Sequence, residues 1–238
     1  MPADPGPHFD NSIFAALPRR EAARLRAGCT TFELKYGKVL FEPGERLRYV
    51  YFPTSGLVSL LTPISDGFSA EVGLVGSEGM AGVSMILGVP MSPVRALVQG
   101  PGYALQMRVS MFRAALSQSP GLQRELNRYL YYLMAQVTQT AACNRFHLVA
   151  ARLARWLLMA HDRLHSDKFY LTQNFLAHML SVRRVGVTAA ARALRKRKLI
   201  SYSRGTITIL DRVGLERASC GCYGAVNATC EHSVASRK

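Results

Sequence analysis

Short runs of apolar or alternating residues, each long enough for one β-strand, follow one another from residue 31 to residue 108. They are Phe32–Leu34, Val39–Phe41, Tyr49–Phe52, Leu57–Leu61, Ala70–Val75, Val94–Val98 and Tyr103–Met107. Turn-forming residues separate them, at Tyr36-Gly37, Glu42-Pro43-Gly44, Pro53-Thr54-Ser55-Gly56, Ser65-Asp66-Gly67 and Gly100-Pro101-Gly102. Short strands at this near-regular spacing predict an antiparallel sandwich or jelly-roll-like barrel. The preceding residues 10–27 predict one or two short helices, with Asn11 or Ser12 as the N-terminal cap.

The period of the apolar residues becomes helical after Val109. Ser119-Pro120 is a typical helix start, and a stripe then recurs every three or four residues at Leu122, Leu126, Leu130, Leu133, Val137 and Thr140. Two interpretations are open: the stripe packs against the chain's own barrel, or it pairs with a second copy of the chain. A helix of ~25 residues is ~37 Å long, which is more than a small barrel needs and favours a dimerisation helix. Gln136, Thr140 and Asn144 would then fix its register.

The chain from residue 148 to residue 210 predicts three helices and a hairpin. The first helix covers about residues 148–163 and carries Trp156, the single tryptophan, as a core residue. A short helix capped by Thr172 follows, with its apolar residues inward at Leu176, Ala177 and Leu180. Ser181 marks a tight turn that needs a residue tolerating unusual backbone angles, where glycine is usual. A second helix runs from about Arg183 to Lys198. Residues 199–210 alternate around Gly205 and predict a β-hairpin.

The second of these short helices has two chemically different sides. Val187, Ala190 and Leu194 form an apolar side, and Val182 belongs to the same inward set. Arg184, Thr188, Arg192 and Arg195 recur on the other side at helical spacing. Gly186 inside the helix costs about 1 kcal/mol relative to Ala, which suggests that something approaches the backbone closely there.

Charge is concentrated in the same region. The net charge is +15, and residues 148–238 contribute +11 of it, from 16 Lys/Arg and 5 Asp/Glu. From Leu171 to Leu210 there are eight Lys/Arg and no acidic residue. A block of one sign raises the local potential and attracts polyanions, although a solvated basic face is the simpler alternative.

A helix, a turn, a basic helix and a basic-tipped hairpin, in this order, are typical of a winged helix-turn-helix. Arginine on the second helix can bind guanine O6 and N7 together. Arg204 at the hairpin tip and residues 196–198 are better placed for phosphates. We therefore predict a double-stranded DNA partner and the following DNA-binding residues: Arg183, Arg184, Thr188, Arg192, Arg195 and Arg204.

Four stretches carry a resemblance to the CRP/FNR family of bacterial regulators. They are Gly37–Glu45 (GKVLFEPGE), Tyr51–Leu60 (YFPTSGLVSL), Val75–Val83 (VGSEGMAGV) and Leu171–Leu210. The likeness spans about residues 25–215. It implies an α+β fold with an N-terminal cyclic-nucleotide-binding-like β-roll, a long dimerisation helix and a C-terminal winged helix-turn-helix that recognises a palindrome. It also implies that Arg184 contacts a base and that RNA polymerase is a further partner.

The resemblance divides the chain into five parts. Residues 1–28 are an N-terminal helical segment and residues 29–118 the β-roll. Residues 119–147 are the dimerisation helix, and residues 148–215 are the winged helix-turn-helix domain. Residues 216–238 remain as a C-terminal tail that contains cysteines.

The sequence departs from the cyclic-nucleotide binders of this family. These carry a Gly-Glu pair and an Arg-Ser/Thr-Ala segment, whereas here Val83 follows Gly82 and the second segment begins with Val94 in place of the phosphate-binding arginine. Arg95 is displaced by one position, and strand alternation turns it to the opposite face from Ala96. Gly82, Val83, Arg95 and Ala96 are thus the candidate effector residues, and the departures argue against cyclic AMP. Val185 and Ala189 replace two base-reading family residues, so the operator should also differ.

Other classes of function find less support. The chain has no Gly-rich phosphate loop, no Ser/His/Asp signature and no paired catalytic carboxylates, so we expect no enzyme and no cofactor. No apolar run spans a membrane, and Met1–Pro7 lacks the layout of a secretion signal, which predicts a cytoplasmic protein. The histidines are scattered, and we expect His8 and His232 in flexible ends. The alternative function is a nucleotide-sensing module that regulates a protein partner without binding DNA.

The cysteines are Cys29, Cys143, Cys220, Cys222 and Cys230. Their odd number and uneven spacing make a poor disulfide framework, and a cytoplasmic protein keeps them reduced. In the tail, Cys220-Gly221-Cys222 and Cys230-Glu231-His232 could supply three thiolates and an imidazole to a soft metal. We predict no metal site from this irregular spacing, but metal binding, redox sensing and inert thiols all remain open.

Overall fold

The computed structural model describes residues 10–64 and 69–235, with side chains as far as residue 229. Two compact units make up the chain: residues 1–59 with 75–130, and residues 60–74 with 131–238. Within the described ranges, no helix combines the length and the apolar character needed to cross a bilayer. His8, the segment Met1–Pro7 and the predicted turn Ser65-Asp66-Gly67 lie outside the described residues.

The helices and strands expected from the sequence are present in the expected order, and the described residues form additional ones. The helices are α1 (Ser12–Ala15), α2 (Arg19–Ala27), α3 (Val109–Gln118), α4 (Pro120–Phe146), α5 (Val149–Leu164), α6 (Gln173–Met179), α7 (Arg184–Lys196), α8 (Arg212–Ala218) and α9 (Cys222–Ala235). The strands are β1 (Cys29–Leu34), β2 (Val39–Phe41), β3 (Tyr49–Pro53), β4 (Leu57–Pro63), β5 (Ser69–Val75), β6 (Arg95–Gly100), β7 (Gly102–Arg108), β8 (Lys168–Tyr170), β9 (Ile200–Ser203) and β10 (Thr206–Ile209).

Antiparallel sheets form the first unit, as the alternating runs predict. Strand β7 lies between β1 and β3, with Cys29 opposite Met107 and Tyr49 opposite Arg108. Strand β2 pairs with β6, and their register shifts between Val39 and Phe41. All seven strands predicted between residues 31 and 108 are present. In the second unit, β4 and β5 are neighbours in a sheet.

Asn11 ties the N-terminal helices to the rest of the first unit. Its side chain is fully buried, and its Oδ1 accepts a hydrogen bond from the backbone N of Ile13 at 3.1 Å, which confirms the predicted cap. Its Nδ2 donates to the carbonyl oxygens of Pro53 at 2.9 Å and Gly79 at 2.7 Å. The adjoining Phe14 packs edge-on against Phe52, with ring centroids 5.0 Å apart.

The apolar stripe of α4 is buried within its own chain. Leu122 and Leu126 are fully buried, and in the second unit Gln136 bonds with the backbone of Leu74, accepting from its N at 2.5 Å and donating to its O at 3.2 Å. Thr140 accepts from Arg155 at 3.3 Å. Leu133 is buried as well, whereas Leu130 and Val137 are half-buried, so most of the stripe packs against its own chain, as the first interpretation expects.

A different stripe of α4 faces outward. Tyr131 is 57% exposed and Met134 is 60% exposed, and both belong to a set spaced alternately by four and three residues. The set is Asn127, Tyr131, Met134, Thr138, Ala141 and Arg145. This spacing is a heptad pattern, so the exposed stripe has the repeat that a second helix could pack against.

The second unit continues beyond the predicted tail boundary as two helices. Trp156 on α5 is buried as predicted, and its Nε1 donates to Glu71 Oε1 at 2.7 Å. The tail at residues 216–238 contains the end of α8 and all of α9, so its backbone is helical as far as residue 235. The backbone of His232 thus lies in a helix. The side chains of Cys230 and His232 lie outside the described part of the chain.

Removing the side chain of Asn11 should destabilise the first unit. Asn11→Ala leaves two buried carbonyl oxygens without their donor and removes a helix cap, and we expect a loss of about 2–4 kcal/mol in the free energy of unfolding. Asn11→Asp keeps the cap acceptor but places a carboxylate beside two carbonyl oxygens, so its loss should be at least as large. Urea denaturation of the variants measures both. A change below about 0.5 kcal/mol would show that these hydrogen bonds contribute little.

Candidate DNA-binding surface

Helices α6 and α7 form a helix-turn-helix. Thr172 caps α6 by accepting a hydrogen bond from the backbone N of Phe175 at 3.2 Å, and the turn contains Ser181 with a φ of 50°. The sequence predicted an unusual backbone angle at this serine. Leu176 and Leu180 are buried as expected. Ala177 and Val182, which were expected inward, are half-buried because they lie at the edge of the α6–α7 contact.

A buried arginine of α5 supports the turn. The Nη2 atom of Arg152 donates a short hydrogen bond to the carbonyl oxygen of Leu180, which directly precedes Ser181. Arg152 is buried, and burial lowers the pKa of its guanidinium below the ordinary value. The carbonyl at the end of α6 thereby gains a donor that holds the turn against α5.

Helix α7 buries its apolar side and exposes the opposite one. Val187, Ala190, Ala191 and Leu194 are buried. The most outward residues are Val185, which is 79% exposed, Ala189 and Arg192. Val185 and Ala189 were identified from the sequence only as replacements of two base-reading family residues. A helical wheel centred on the buried side places both at the centre of the exposed face.

The predicted arginines and Thr188 occupy the flank of α7 and its first turn. Arg183, Arg184 and Arg195 are exposed, whereas Thr188 is half-buried. Gln173 of α6 lies beside them, and its Oε1 accepts from Arg184 Nε at 3.3 Å and from the Thr188 hydroxyl at 3.1 Å. Gln173 therefore orients the first turn of α7.

The N-terminus of α7 has the electrostatics of an anion site. Arg183 precedes the helix and makes no side-chain cap, and the first turn contains no acidic residue. The first backbone N–H groups of a helix have no partner within the helix, and the helix dipole places positive charge at this end. Phosphates bind readily at such a terminus.

The hairpin after α7 forms a three-stranded wing, in the order β8-β10-β9. Ser203 pairs with Thr206, and the two residues between them, Arg204 and Gly205, have φ values of 47° and 78°. Two positive φ values in a two-residue loop are typical of a type I′ turn. The sequence predicted a hairpin turn around Gly205. Strand β8 was not predicted from the sequence.

Three arginines converge between α7 and the wing. Arg184, Arg195 and Arg204 line a cleft of about 430 Å³ together with Tyr170 and Tyr202. Burial raises the pKa of Tyr202, with Arg184 acting in the opposite direction, so its hydroxyl stays neutral at physiological pH. That hydroxyl donates to the Leu171 carbonyl at 2.9 Å. The cleft is a positively charged groove with a rigid aromatic wall.

The candidate effector residues lie in the first unit and face different ways. Arg95 is exposed and pairs with Glu42 at 2.7 Å, whereas the next residue, Ala96, is fully buried. This alternation is as predicted. Gly82 is buried with a φ of 98°, and a Cβ there would lie 3.2 Å from Val50. Val83 is half-buried at the start of a 3₁₀ helix. Arg95 is therefore engaged by a carboxylate on the outer face of its strand.

Comparison with known proteins agrees with this geometry. The family model of the Crp-like helix-turn-helix domain matches residues 151–218, a range that contains α6, α7 and the wing. The global nitrogen regulator of Synechococcus elongatus is 23% identical over 218 residues, covering 87% of this chain and 97% of that protein.

Solved structures share the fold over most of the chain. FixK2 from Bradyrhizobium japonicum has a TM-score of 0.69 at 16% identity, covering 81% of this chain and 98% of that one. The c-di-GMP responsive global regulator CLP of Xanthomonas campestris has a TM-score of 0.66 at 17% identity, covering 81% and 99%. The resemblance predicted from the sequence is thereby confirmed at the level of domain and fold: residues 151–218 form a Crp-like helix-turn-helix domain, and the chain shares the fold of these solved structures.

Proposed function

We propose that this chain regulates transcription as a homodimer that binds a palindromic operator, with α7 of each copy in the major groove. The observation that carries the proposal is the arrangement of α7. Its apolar side is buried, and its exposed side joins the wing in a cleft lined by Arg184, Arg195 and Arg204. An exposed helix of this kind fits the major groove of B-DNA, and a basic cleft beside it fits the adjoining phosphates.

Base recognition is assigned to the outward side of α7. Arg184 and Arg192 are exposed and can each bind guanine O6 and N7. Val185 and Ala189 offer apolar surface at the centre of the same face, which suits the methyl group of thymine. An operator that combines guanine with nearby thymine follows from this chemistry.

Phosphate contacts are assigned to the rim of the surface. Arg183 precedes the uncapped end of α7, Arg195 lies on its flank, and Arg204 sits at the tip of the wing. Such contacts fix the register and orientation of the protein on the duplex without discriminating between sequences. Thr188 is half-buried and bonded to Gln173, so its role is to support Arg184 more than to contact DNA.

Dimerisation is assigned to the exposed stripe of α4. Tyr131 and Met134 are large apolar side chains that are more than half exposed. The heptad spacing of the stripe brings the same residues of two helices together along a twofold axis. Two copies of α7 related by that axis would recognise the two halves of a palindrome.

The signal sensed by the β-roll is a small molecule other than cyclic AMP. The proposal rests on Val83 in the place of a ribose-binding carboxylate and on Arg95, which pairs with Glu42. RNA polymerase remains a partner implied by family resemblance. Regulation of a protein partner without DNA binding is the alternative function, and it is rejected if selection from random duplexes recovers a shared motif.

Replacement of individual arginines should separate recognition from non-specific attraction. Arg184→Ala should cost about 1–3 kcal/mol on the selected operator and relax the preference at one base position. Arg204→Ala should weaken binding to all duplexes alike and reduce the slope of log affinity against log salt by about one. Fluorescence anisotropy over a salt series measures both. An identical pattern for the two variants would contradict the assigned roles.

A charge in the exposed stripe of α4 should break the dimer. Met134→Glu places two like charges opposite each other across the twofold axis, where their desolvation and repulsion oppose association. Sedimentation analysis should show a monomer, with affinity for a palindrome falling towards that for a half-site. Met91→Glu, which adds the same charge at a methionine of the first unit that is 49% exposed, is the matched control. A Met134→Glu protein that remains dimeric would exclude this interface.

Gly186→Ala tests whether DNA is what approaches the backbone of α7 closely at this glycine. A Cβ at this position would lie 3.9 Å from Val182, so the chain itself leaves room for it. We expect the free energy of unfolding to rise by about 0.5–1 kcal/mol, since Ala is the better helix former. Affinity for DNA should fall, because the added methyl group meets the duplex. Unchanged affinity would mean that nothing approaches this glycine.

A further inference from the structure

Four side chains with metal-binding chemistry lie together in the second unit. Cys143 and His147 are one helical turn apart at the end of α4, linked by the hydrogen bond from the backbone N of His147 to the carbonyl of Cys143 at 3.1 Å. Cys220 lies in the link between α8 and α9, and Cys222 is the first residue of α9. Their ligand atoms all lie within 4.8 Å of one another.

We propose that Cys143, His147, Cys220 and Cys222 form a Cys₃His site for a zinc ion. Three thiolates and an imidazole are a common donor set of structural zinc sites. The proposal differs from the tail cluster considered from the sequence, because Cys143 and His147 of α4 take the places of Cys230 and His232.

The distances suit a tetrahedral ion. Zn–S bonds of about 2.3 Å and Zn–N bonds of about 2.0 Å give tetrahedral edges of about 3.7 Å between sulfurs and about 3.5 Å between sulfur and nitrogen. The Sγ atoms of Cys143 and Cys220 are 3.4 Å apart, and Cys222 Sγ is 3.4 Å from His147 Nδ1. Ligand atoms that lie up to 4.8 Å apart must move about 1 Å closer together, which rotation of their side chains allows.

Burial and hydrogen bonding also fit a metal centre. The three cysteines are buried while His147 is exposed, so the site has one open side for entry of the ion. Gln139 Nε2 donates to Cys222 Sγ at 2.9 Å. Donors to ligating groups hold the ligands in place in known metal sites.

Two buried arginines next to the cluster supply a charge argument. Arg152 and Arg155 are buried, and the Nε atom of each has no hydrogen-bond partner within the described chain. No carboxylate of the described residues pairs with either of them. Arg152 follows Ala151, which packs against the cysteines, and Arg155 donates to Thr140, which lies about one turn before Cys143 on α4. A zinc ion with three thiolates and a neutral imidazole carries a net charge of −1, which compensates positive charge that is otherwise costly to bury.

The site would join segments on either side of the DNA-binding domain. It links the end of α4, which precedes α5, to the start of α9, which follows the wing. Ala151 of α5 packs against the same cysteines, and the adjacent Arg152 supports the turn between α6 and α7. Metal binding would therefore stabilise the second unit, because the ion binds the folded arrangement and not the unfolded chain.

The test is the metal content of the full-length protein. The protein is purified with reductant and without added chelator. Inductively coupled plasma mass spectrometry should then find one zinc ion per copy of the chain. Cobalt in its place should give the visible absorption bands of a tetrahedral thiolate site. Cys222→Ser should lower cobalt affinity by about 100-fold or more, and His147→Ala should also weaken it. Cys29→Ser, in the first unit, is the matched control and should bind cobalt with the same affinity as the unchanged chain.

A milder variant covers the case in which Cys222→Ser fails to fold. Gln139→Ala keeps all four ligands and should lower cobalt affinity by about 10- to 100-fold. Protein with all cysteines reduced that takes up neither zinc nor cobalt would overturn the proposal. So would a disulfide between Cys143 and Cys220 in place of metal, or loss of the metal in Cys230→Ser but not in Cys222→Ser. These readouts do not involve DNA, so they stand or fall apart from the proposed function.

Discussion

Burial of one side of α7 is the constraint on which the DNA-binding surface depends. Val187 and Leu194 are almost completely buried, and α-helical geometry then fixes the direction of every other side chain on the helix. Val185, Ala189 and Arg192 face outward because the residues two positions away from them face inward. If α5 and α6 did not cover the apolar side, the same arginines would sit on a helix with no defined orientation.

Local periodicity is the part of this arrangement that the sequence could predict. The seven strands of the first part of the chain, the two short helices and the hairpin all come from alternation, helical spacing or turn residues within about ten positions of each other. Ser181 is an instructive case. It replaces the glycine that is usual in this turn, yet it adopts the expected positive φ of 50°, because the packing of α6 on α7 outweighs the cost of the side chain.

Features that depend on distant residues could not be predicted in this way. Helix α4 has an apolar stripe that is buried in its own chain and a second, weaker stripe through Tyr131 and Met134 that is exposed. Periodicity alone does not tell which stripe meets which partner, and the stronger one was assigned to the dimer. In the same way, Cys143 and Cys220 are separated by 77 positions in the sequence. The sequence therefore suggested only residues close to Cys220 in the tail as possible metal ligands beside it.

The arginines of this chain serve two physical purposes, and only burial distinguishes them. On α7 and the wing, guanidinium groups stay in water and keep their charge available for DNA, where release of counterions favours binding. On α5, Arg152 and Arg155 are removed from water, so each needs nearby compensation. Arg152 receives part of it from the Leu180 carbonyl in the turn before α7, and it follows Ala151, which packs against Cys143, Cys220 and Cys222. A negatively charged metal site at that cluster would therefore supply further compensation to the residue that donates to the turn between α6 and α7.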